Sequence, residues 1–375
     1  MNKVLIYYGP KVGYESILPS NIKTLSELIF KFDEKKNRHI VAVEGQTKQE
    51  DATIENKEYI ENLVAYSESY SSITEGAVQS FLTILNEYEI DNVYLQNPPI
   101  QIEQQFTQTF PEIVEVKNYE YQYLDKKMFK KINNTFSDKI IGQDLVKQKL
   151  LISLYPLLNK KKNAKPRVIM FYGDSGVGKT ETAKFISDVL GQKLFRKQLS
   201  MYQNTEFSSY LFGGKHFQSC FARDLLERES NVILLDEFDK AAPIFHSAFY
   251  QLFDEGIFED KNYSVQLQSS IIICTSNYKS IEEIRSYLGE PIFYRFDNII
   301  KFEKLSTDSL IKIIDLIIDK KYNELTPSEK KIVDIENIRL MLHRNVQKLN
   351  NVRNIKNIIE ELIGIELVKN TLEDK

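Results

Sequence analysis

Near its middle the chain reads Gly173-Asp-Ser-Gly-Val-Gly-Lys-Thr180, which matches the phosphate-loop pattern GxxxxGK[ST] at every fixed position. Glycines let such a backbone curl so that successive N–H groups point at phosphate oxygens, and the following helix directs its positive dipole end at the same anion. Lys179 is expected to reach the β- and γ-phosphates, and Thr180 to bind Mg²⁺. The stretch predicts a nucleoside triphosphate site whose expected contact residues are Gly173, Asp174, Ser175, Gly176, Val177, Gly178, Lys179, Thr180 and Glu181.

The residues on both sides of this loop fit the same interpretation. Val168–Tyr172 is a short apolar run that predicts a buried strand before the loop. Glu181–Leu190 has the apolar spacing of a helix after it. The alternative is a glycine-rich turn with a chance lysine, and the strand, loop and helix order argues against it.

Length and composition exclude several classes of protein. A chain of 375 residues is too long for one average hydrophobic core, so we expect two or three domains. Hydrophobic residues at 42% and charged residues at 27% are ordinary for a soluble globular protein. The net charge of −4 gives no global sign of a protein that binds nucleic acid or an anionic membrane, although a local basic face stays possible.

Cysteine usage and the N-terminal residues indicate a compartment. The two cysteines, Cys220 and Cys274, lie in patterns that predict a helix and a buried strand, which argues against a disulfide framework and for a reducing environment. The first apolar run is too short for a secretion signal or a membrane span, and no later run reaches the length of a span. We therefore expect a cytoplasmic protein without a membrane partner.

The first third of the chain predicts a small α/β domain. Strand patterns alternate with helical patterns, which is typical of a parallel sheet covered by helices. The predicted strands are Val4–Tyr8, His39–Val43, Asn92–Leu95 and Ile113–Lys117, and the predicted helices are Ile22–Phe32, Glu55–Tyr66, Ile73–Glu87 and a short one ending at Phe110. The Gly9–Gly13 turn after the first strand is either an ordinary loop or an anion cradle.

A second apolar strand in the middle of the chain ends in paired acids. Val232–Leu235 is followed by Asp236 and Glu237. A buried parallel strand would deliver Asp236 at its carboxyl end to hold the hydration shell of Mg²⁺, with Glu237 beside it to polarise an attacking water. The alternative for this peptide alone is a strand that ends in a solvated acidic turn.

Five stretches in this part of the chain occur in an order that resembles the AAA+ ATPases and, within them, the Clp family of ring-forming protein unfoldases. The resemblance covers the chain from about residue 140 to its end. The stretches are Ile140–Asp144, the phosphate loop, Asn231–Ala241, Ser269–Asn277 and Gly289–Ile300.

The resemblance implies roles for four further residues. Ile141 packs against the adenine in the family, and Asn277 matches the sensor residue that helps to place the attacking water. Arg295 matches the arginine finger that reaches into the site of a neighbouring subunit, and without a ring of subunits such a finger would have nothing to act on. The alternative is a surface arginine that pairs with Asp297. Arg353 matches the arginine that senses the γ-phosphate, although Asn-Val stands here before it where the family has Gly-Ala.

The resemblance also has gaps. The family threads polypeptide with a Gly-Tyr-Val-Gly loop, whereas Leu211–Gln218 is shorter and lacks the aromatic-aliphatic pair, although His216 or Phe217 could still grip a chain. The connection from Asn277 to Arg295 is too short for the loop by which some relatives dock on a peptidase. We therefore expect no peptidase partner, and threading through a pore stays an open question.

The expected architecture is α/β and has three parts. Residues 1–124 form a small parallel-sheet domain that recognises a partner, residues 125–302 form the large AAA+ phosphate-loop domain, and residues 303–375 form a helical lid. Helices are predicted in the lid at Thr307–Lys321, Ile335–Arg344 and Val352–Leu372, with no strand pattern between them.

The leading functional hypothesis is a Clp-like ATPase that hydrolyses ATP to ADP and phosphate with Mg²⁺ as cofactor. It would assemble with itself into a ring or helical oligomer, possibly a hexamer, and would remodel a protein partner chosen by its first domain. The alternative is an ATP-dependent assembly switch that controls an effector or senses nucleic acid in a bacterial defence system. The near-neutral charge and the lack of a basic, aromatic-interleaved stretch count against direct binding of nucleic acid.

Overall fold

The computed structural model describes residues 1–30, 57–158, 164–201, 205–215, 217–349 and 351–373. The strands in these residues are β1 (Lys3–Tyr8), β2 (Lys23–Thr24), β3 (Tyr59–Ala65), β4 (Glu89–Gln96), β5 (Val114–Asn118), β6 (Arg167–Tyr172), β7 (Phe195–Gln198), β8 (Val232–Asp236), β9 (Ile257–Glu259), β10 (Ser264–Gln266), β11 (Ile271–Ser276) and β12 (Asn298–Lys301).

The helices are interspersed with these strands as far as β12, and the described residues after β12 hold helices and their connections. They are α1 (Lys11–Glu15), α2 (described over 25–30), α3 (Glu75–Gln79), α4 (Phe81–Leu85), α5 (Ile100–Thr109), α6 (Lys126–Lys139), α7 (Asp144–Leu154), α8 (Lys179–Val189), α9 (Thr205–Phe212), α10 (Phe221–Leu226), α11 (Tyr250–Glu255), α12 (Ile281–Leu288), α13 (Glu290–Phe293), α14 (Thr307–Glu324), α15 (Glu329–Ile332), α16 (Ile335–Arg344) and α17 (Val352–Glu373).

The described residues divide into two compact units. One contains residues 1–122, 202–231 and 247–268, and the other contains residues 123–201, 232–246 and 269–375. The second unit holds the phosphate loop and the helical C-terminal part.

A parallel sheet in the order β12-β6-β11-β8-β7 forms the centre of the second unit. Strands β8 and β11 are buried at every position, because both faces of an internal parallel sheet are covered by other elements. Their carboxyl ends, together with the end of β6, lie at the same edge of the sheet. The phosphate loop, the acidic pair and Asn277 each follow one of these strands, so the fold collects them at that edge.

The helical C-terminal part has a hydrophobic core of its own. Helices α14, α16 and α17 contribute aliphatic side chains at helical spacing, among them Ile314, Ile318, Leu342, Ile355 and Ile359. All five are nearly inaccessible to solvent. The three lid helices predicted from sequence are confirmed, and helix α14 continues beyond its predicted end at Lys321 to Glu324.

The first unit contains a second parallel sheet, in the order β2-β3-β4-β1-β5 among the described residues. The α/β fold class predicted from sequence is confirmed by the two parallel sheets and the helical C-terminal part. The strand predicted at His39–Val43 lies outside the described residues. The first unit also contains the antiparallel β9-β10 pair.

One predicted helix of the first unit is wrong. The described part of Glu55–Tyr66 is the strand β3, which pairs with β2 on one side and β4 on the other. Ile60, Leu63 and Val64 have the spacing of one helical face, yet residues 62–65 are all buried because the strand is covered on both faces. A short strand buried on both faces does not alternate, so its pattern is hard to distinguish from a helix.

The structure contains no helix, over the residues it describes, with the length and apolar character needed to cross a lipid bilayer.

Candidate functional site: a nucleotide pocket

The edge of the second unit's sheet opens into a cavity of about 610 Å³. This volume lies in the range of ordinary small-molecule sites. The cavity is lined by the phosphate loop from Ser175 onward, the ends of β8 and β11, the residues between α6 and α7, and helices α14 and α17. The predicted site residues that line it are Ile141, Ser175, Gly176, Val177, Gly178, Lys179, Thr180, Glu181, Asp236, Glu237, Asn277 and Arg353.

The phosphate loop depends on glycine where the chain turns out of β6 and into α8. Gly173 has a φ of 131°, and a β carbon built there would lie 2.4 Å from the carbonyl oxygen of Phe302. Gly178 has a φ of 105° and caps the start of α8. A side chain at either position would be strained, so the sequence pattern follows from the backbone path.

Lys179 lies inside the curve of this loop. Its ammonium group donates to the carbonyl oxygens of Gly173 at 2.6 Å and Asp174 at 2.8 Å, and to Oδ1 of Asn277 at 3.1 Å. Desolvation lowers the pKa of Lys179 to about 8, against the opposing effect of Asp236 and other nearby carboxylates. A buried cation that is held by neutral oxygens is suited to receive an anionic phosphate.

Gly173 and Asp174 are not among the residues that line the cavity. Gly173 contributes its carbonyl oxygen to Lys179, and the carboxylate of Asp174 lies 3.7 Å from the exposed ammonium group of Lys304. The sequence prediction that both contact a nucleotide therefore stays a prediction.

Asp236 is the most constrained carboxylate at this edge. Its Oδ1 accepts a hydrogen bond from the hydroxyl group of Thr275. Its Oδ2 accepts from Nε of Arg196 at 2.9 Å and lies 3.5 Å from the Oγ1 of Thr180. Arg196 projects from β7, the strand that pairs with β8.

Glu237 follows with an unusual backbone. Its φ is 55°, in the left-handed region that non-glycine residues seldom adopt. Its N–H donates to the Oγ1 of Thr275 at 3.0 Å, and its side chain accepts from Nε2 of Gln198 at 3.1 Å. Strained backbone at a carboxylate in a cavity is a recurrent feature of functional sites.

The side chain of Gln143 holds the phosphate loop in place through hydrogen bonds. Its amide donates to the carbonyl oxygens of Val177 at 3.1 Å and Glu303 at 2.9 Å, and it accepts from the Glu303 N–H at 3.2 Å. The side chain is buried, and it links the phosphate loop to the chain just after β12.

The two arginines predicted from the family resemblance have different positions. Arg353 is exposed on the first turn of α17 and lines the cavity, and its N–H donates to Oδ1 of Asn351 at 2.9 Å. Arg295 is not among the lining residues of this cavity, and its guanidinium group donates to the carbonyl oxygen of Pro291 at 2.6 Å.

Sequence reasoning missed four polar residues at this edge, which are Gln143, Arg196, Gln198 and Thr275. The only available signal for Gln143 was its place in the Ile140–Asp144 segment. Arg196 and Gln198 reach the acidic pair because β7 lies beside β8, with Gln198 opposite Asp236 in register. Which strands pair depends on the order of the strands in the sheet, and no local sequence pattern indicates that order.

The residues at this edge fit a magnesium nucleotide. The hydroxyl of Thr180 and the carboxylate of Asp236 are hard oxygen donors 3.5 Å apart, which is the type of ligand that Mg²⁺ prefers. The loop at the N-terminus of α8 and the buried ammonium group of Lys179 supply the positive partner for phosphate.

In the Gly9–Gly13 segment of the first unit, Gly9 and Pro10 connect β1 to the short helix α1, which begins at Lys11. The backbone N–H of Lys11 there donates to the carboxylate of Glu227 at 3.2 Å. The same carboxylate accepts from the amides of Gln96 at 3.0 Å and Asn97 at 2.8 Å, and burial raises its pKa. The carboxyl edge of the first sheet thus holds a carboxyl group from the chain itself.

The pore-loop segment predicted from the resemblance is only partly described. His216 lies outside the described residues. The side chain of Phe217 is exposed, and the ammonium group of Lys215 lies 5.7 Å from the centre of its ring.

Comparison with known proteins was made by sequence and by structure. The model of the family described as AAA domain (Cdc48 subfamily) matches residues 165–314. The ATP-dependent Clp protease ATP-binding subunit ClpL of Staphylococcus aureus, in strains USA300 and NCTC 8325, is 31% identical over 221 residues. The match covers 52% of this chain and 31% of the relative, so the chain spans about a third of the length of these relatives.

A solved structure has a similar fold along nearly the whole chain. It is the closed-state cryo-EM reconstruction of Hsp104 with ATPγS and FITC casein, with a TM-score of 0.57 at 13% identity. The similarity covers 99% of this chain and 89% of that one. At this identity it supports the fold alone.

Proposed function

We propose that this chain, which is similar in sequence to AAA+ proteins of the Clp type, binds ATP with Mg²⁺ in the 610 Å³ cavity, hydrolyses it within a homo-oligomer, and uses the cycle to remodel a protein partner. The observation that carries the proposal is the meeting of Lys179, Asp236, Glu237 and Asn277 at one edge of the sheet. These residues are up to 98 positions apart in sequence, yet they face one cavity.

The proposed reaction is the attack of a water on the γ-phosphate of ATP. The water oxygen bonds to the γ-phosphorus, and the bond from that phosphorus to the bridging oxygen of the β-phosphate breaks, so that the electron pair leaves with ADP. Glu237 orients the water and accepts its proton. Mg²⁺, held through Thr180 and Asp236, would neutralise charge on the β- and γ-phosphate oxygens when bound.

The surrounding residues would position the substrate for this step. Lys179 donates its hydrogen bonds to the phosphates in place of the loop carbonyls, and Asn277 lies close enough to Lys179 to face the γ-phosphate. Arg353 would respond to the γ-phosphate from the lid. Since it starts helix α17, its contact would couple nucleotide state to the angle of the lid.

Assembly is part of the proposal because Arg295 does not line the cavity of its own chain. A head-to-tail contact between copies would carry Arg295 to the neighbour's γ-phosphate, where it would stabilise developing charge. Residues 1–124 are proposed as the domain that engages the partner. The alternative of a nucleic-acid-sensing switch gains no support from the similarities to the AAA domain family, ClpL and Hsp104.

The remodelling part of the proposal is tested with an unfolded protein as probe. Hsp104 was imaged with casein, so casein is the first substrate to try on this chain. We expect casein in excess to raise the ATP turnover of the assembled protein at least about twofold, because partner binding and hydrolysis are coupled through the same motion. Folded serum albumin is the control. Equal turnover with and without casein would count against remodelling of unfolded protein.

A further inference from the structure

We propose that Thr275 is a positioning residue for hydrolysis, which fixes both acids of the site through one hydroxyl group. The inference rests on the proposed ATPase function. The Thr275 hydroxyl donates to Oδ1 of Asp236 and accepts from the backbone N–H of Glu237 at 3.0 Å. No local sequence pattern points to this role.

The position of Thr275 follows from the sheet. In the parallel pair of β11 and β8 the last residues in register are Cys274 and Leu235. The next residues are Thr275 in β11 and Asp236, the last residue of β8, so the hydroxyl lies beside the carboxylate at the end of β8 and one residue before the end of β11. Thr275 is only 2% exposed, so water cannot readily replace this hydrogen bond.

The first consequence concerns the carboxylate of Asp236. Thr275 occupies Oδ1, which leaves Oδ2 turned toward Thr180 and Arg196. The hydroxyl group therefore selects the oxygen that faces the metal position. Without it the carboxylate can rotate about its terminal torsion, because such torsions are broad.

The second consequence concerns the backbone of Glu237. The left-handed conformation at φ 55° is strained for a non-glycine residue. The hydrogen bond from the Glu237 N–H to Thr275 is a contact that holds this conformation. If the bond is lost, relaxation of the backbone would move the carboxylate away from the attacking water, which lowers the rate of hydrolysis more than the affinity for nucleotide.

The test compares three variants with the full-length protein. Thr275→Val keeps the shape and removes the hydroxyl, and Thr275→Ser keeps the hydroxyl. Ser153→Ala removes a buried hydroxyl that bonds a helix carbonyl away from the cavity, so it controls for a simple loss of stability. Each is measured for kcat, KM, melting temperature and the Mg²⁺ dependence of binding to a fluorescent non-hydrolysable ATP analogue.

We expect Thr275→Val to lower kcat by about 30-fold or more, to change analogue affinity at saturating Mg²⁺ less than about threefold, and to raise the Mg²⁺ concentration for half-maximal binding. Thr275→Ser should stay within about threefold of wild type in kcat, KM and the Mg²⁺ dependence of binding, and its melting temperature should be close to that of wild type. Ser153→Ala should lower the melting temperature without changing kcat. If Thr275→Val does not fold, Thr275→Ala replaces it with the same expectations.

Two results would overturn the proposal. One is a kcat and a Mg²⁺ dependence of Thr275→Val that match those of wild type. The other is a loss in Thr275→Ser as large as that in Thr275→Val, which would indicate a packing role. Glu237→Gln is measured in parallel. If wild type and Glu237→Gln show no difference in turnover, the proposed function fails, and the Mg²⁺ dependence of binding still decides the role of Thr275 at Asp236.

Discussion

At the scale of single residues, the site buries the ammonium group of Lys179, where loss of solvation disfavours its charged form. Lys179 is almost fully buried and its hydrogen bonds go to neutral oxygens, so its pKa falls to about 8. A bound triphosphate would bring negative charge next to the ammonium group and raise that pKa again. Binding of nucleotide and binding of a proton to Lys179 are therefore linked.

This linkage predicts a pH dependence of affinity. Above pH 8 the unbound protein has lost the Lys179 proton, and nucleotide binding must take one up, so affinity falls as pH rises. We expect the Kd for a non-hydrolysable ATP analogue to increase about tenfold per pH unit above pH 8. Titration calorimetry in two buffers of different ionisation enthalpy would also detect the proton uptake.

Lys179→Arg is the control for this pH dependence, because arginine stays charged over the same range. Whatever its absolute affinity, the Kd of Lys179→Arg should stay flat between about pH 7 and about pH 9, which is about one unit either side of the Lys179 pKa. A flat profile for the wild-type protein would contradict the assignment.

Sequence reasoning reached the residues of the site that carry a local pattern. Lys179 and Thr180 belong to a fixed motif, and Asp236 and Glu237 directly follow an apolar run. Arg196 and Thr275 have no such pattern, because their contacts with Asp236 depend on which strands are neighbours in the sheet. The contacting residues are 39 or 40 positions apart in the chain, and contacts between different strands at such separations cannot be inferred from sequence spacing.

At the scale of elements, the phosphate loop is held from outside as well as by its glycines. Gln143 lies just before α7 and joins the Val177 carbonyl to Glu303 after β12. Three segments far apart in the chain are thus joined through one buried amide. Such a brace restricts the loop before nucleotide binds, which favours affinity by preorganisation.

We expect Gln143→Ala to destabilise this part of the protein and to weaken nucleotide binding. The substitution leaves buried carbonyl and N–H groups without their partner, which costs about 2 kcal/mol and should lower the melting temperature by about 5 °C. Differential scanning calorimetry and analogue binding measure the two effects. The exposed Gln148 on α7 gives a matched control, since Gln148→Ala should change neither. Unchanged melting and affinity in Gln143→Ala would refute the brace.

The elements that sequence predicted well were those with a distinct period or boundary. Helices α14, α16 and α17 have clear apolar stripes, and β6 ends at a glycine-rich loop. Strand β3 was predicted as part of a helix because Ile60, Leu63 and Val64 also fit a helical spacing. Burial on both faces removes the alternation of apolar and polar residues that identifies a strand. The segment is recognised as a strand from its pairing with β2 and β4.

At the scale of the whole molecule, the proposal requires more than one copy of the chain. The cavity collects Lys179, Asp236, Glu237, Asn277 and Arg353 within one unit, while Arg295 does not line it. A finger that acts on a neighbour makes each interface between copies a complete site. Activity would then depend on protein concentration.

Mixing two inactive variants tests this dependence. Arg295→Ala has an intact phosphate loop, and Lys179→Ala has an intact finger, and each alone should lose nearly all ATP turnover. In a 1:1 mixture about one interface in four joins an intact loop to an intact finger, so we expect about a quarter of wild-type turnover. A mixture of Lys179→Ala with Glu237→Gln carries both lesions on the loop side of the interface and should stay inactive. No recovery in the first mixture would contradict a finger in trans.

The most direct test of the account is the hydrolysis of ATP by Glu237→Gln, measured as phosphate release under single-turnover conditions beside a measurement of ATP binding. The amide keeps the size of the side chain and removes the proton acceptor. The account predicts that ATP binds within about threefold of wild-type affinity while the hydrolysis rate falls by about 100-fold or more. Hydrolysis by Glu237→Gln at the wild-type rate would contradict it.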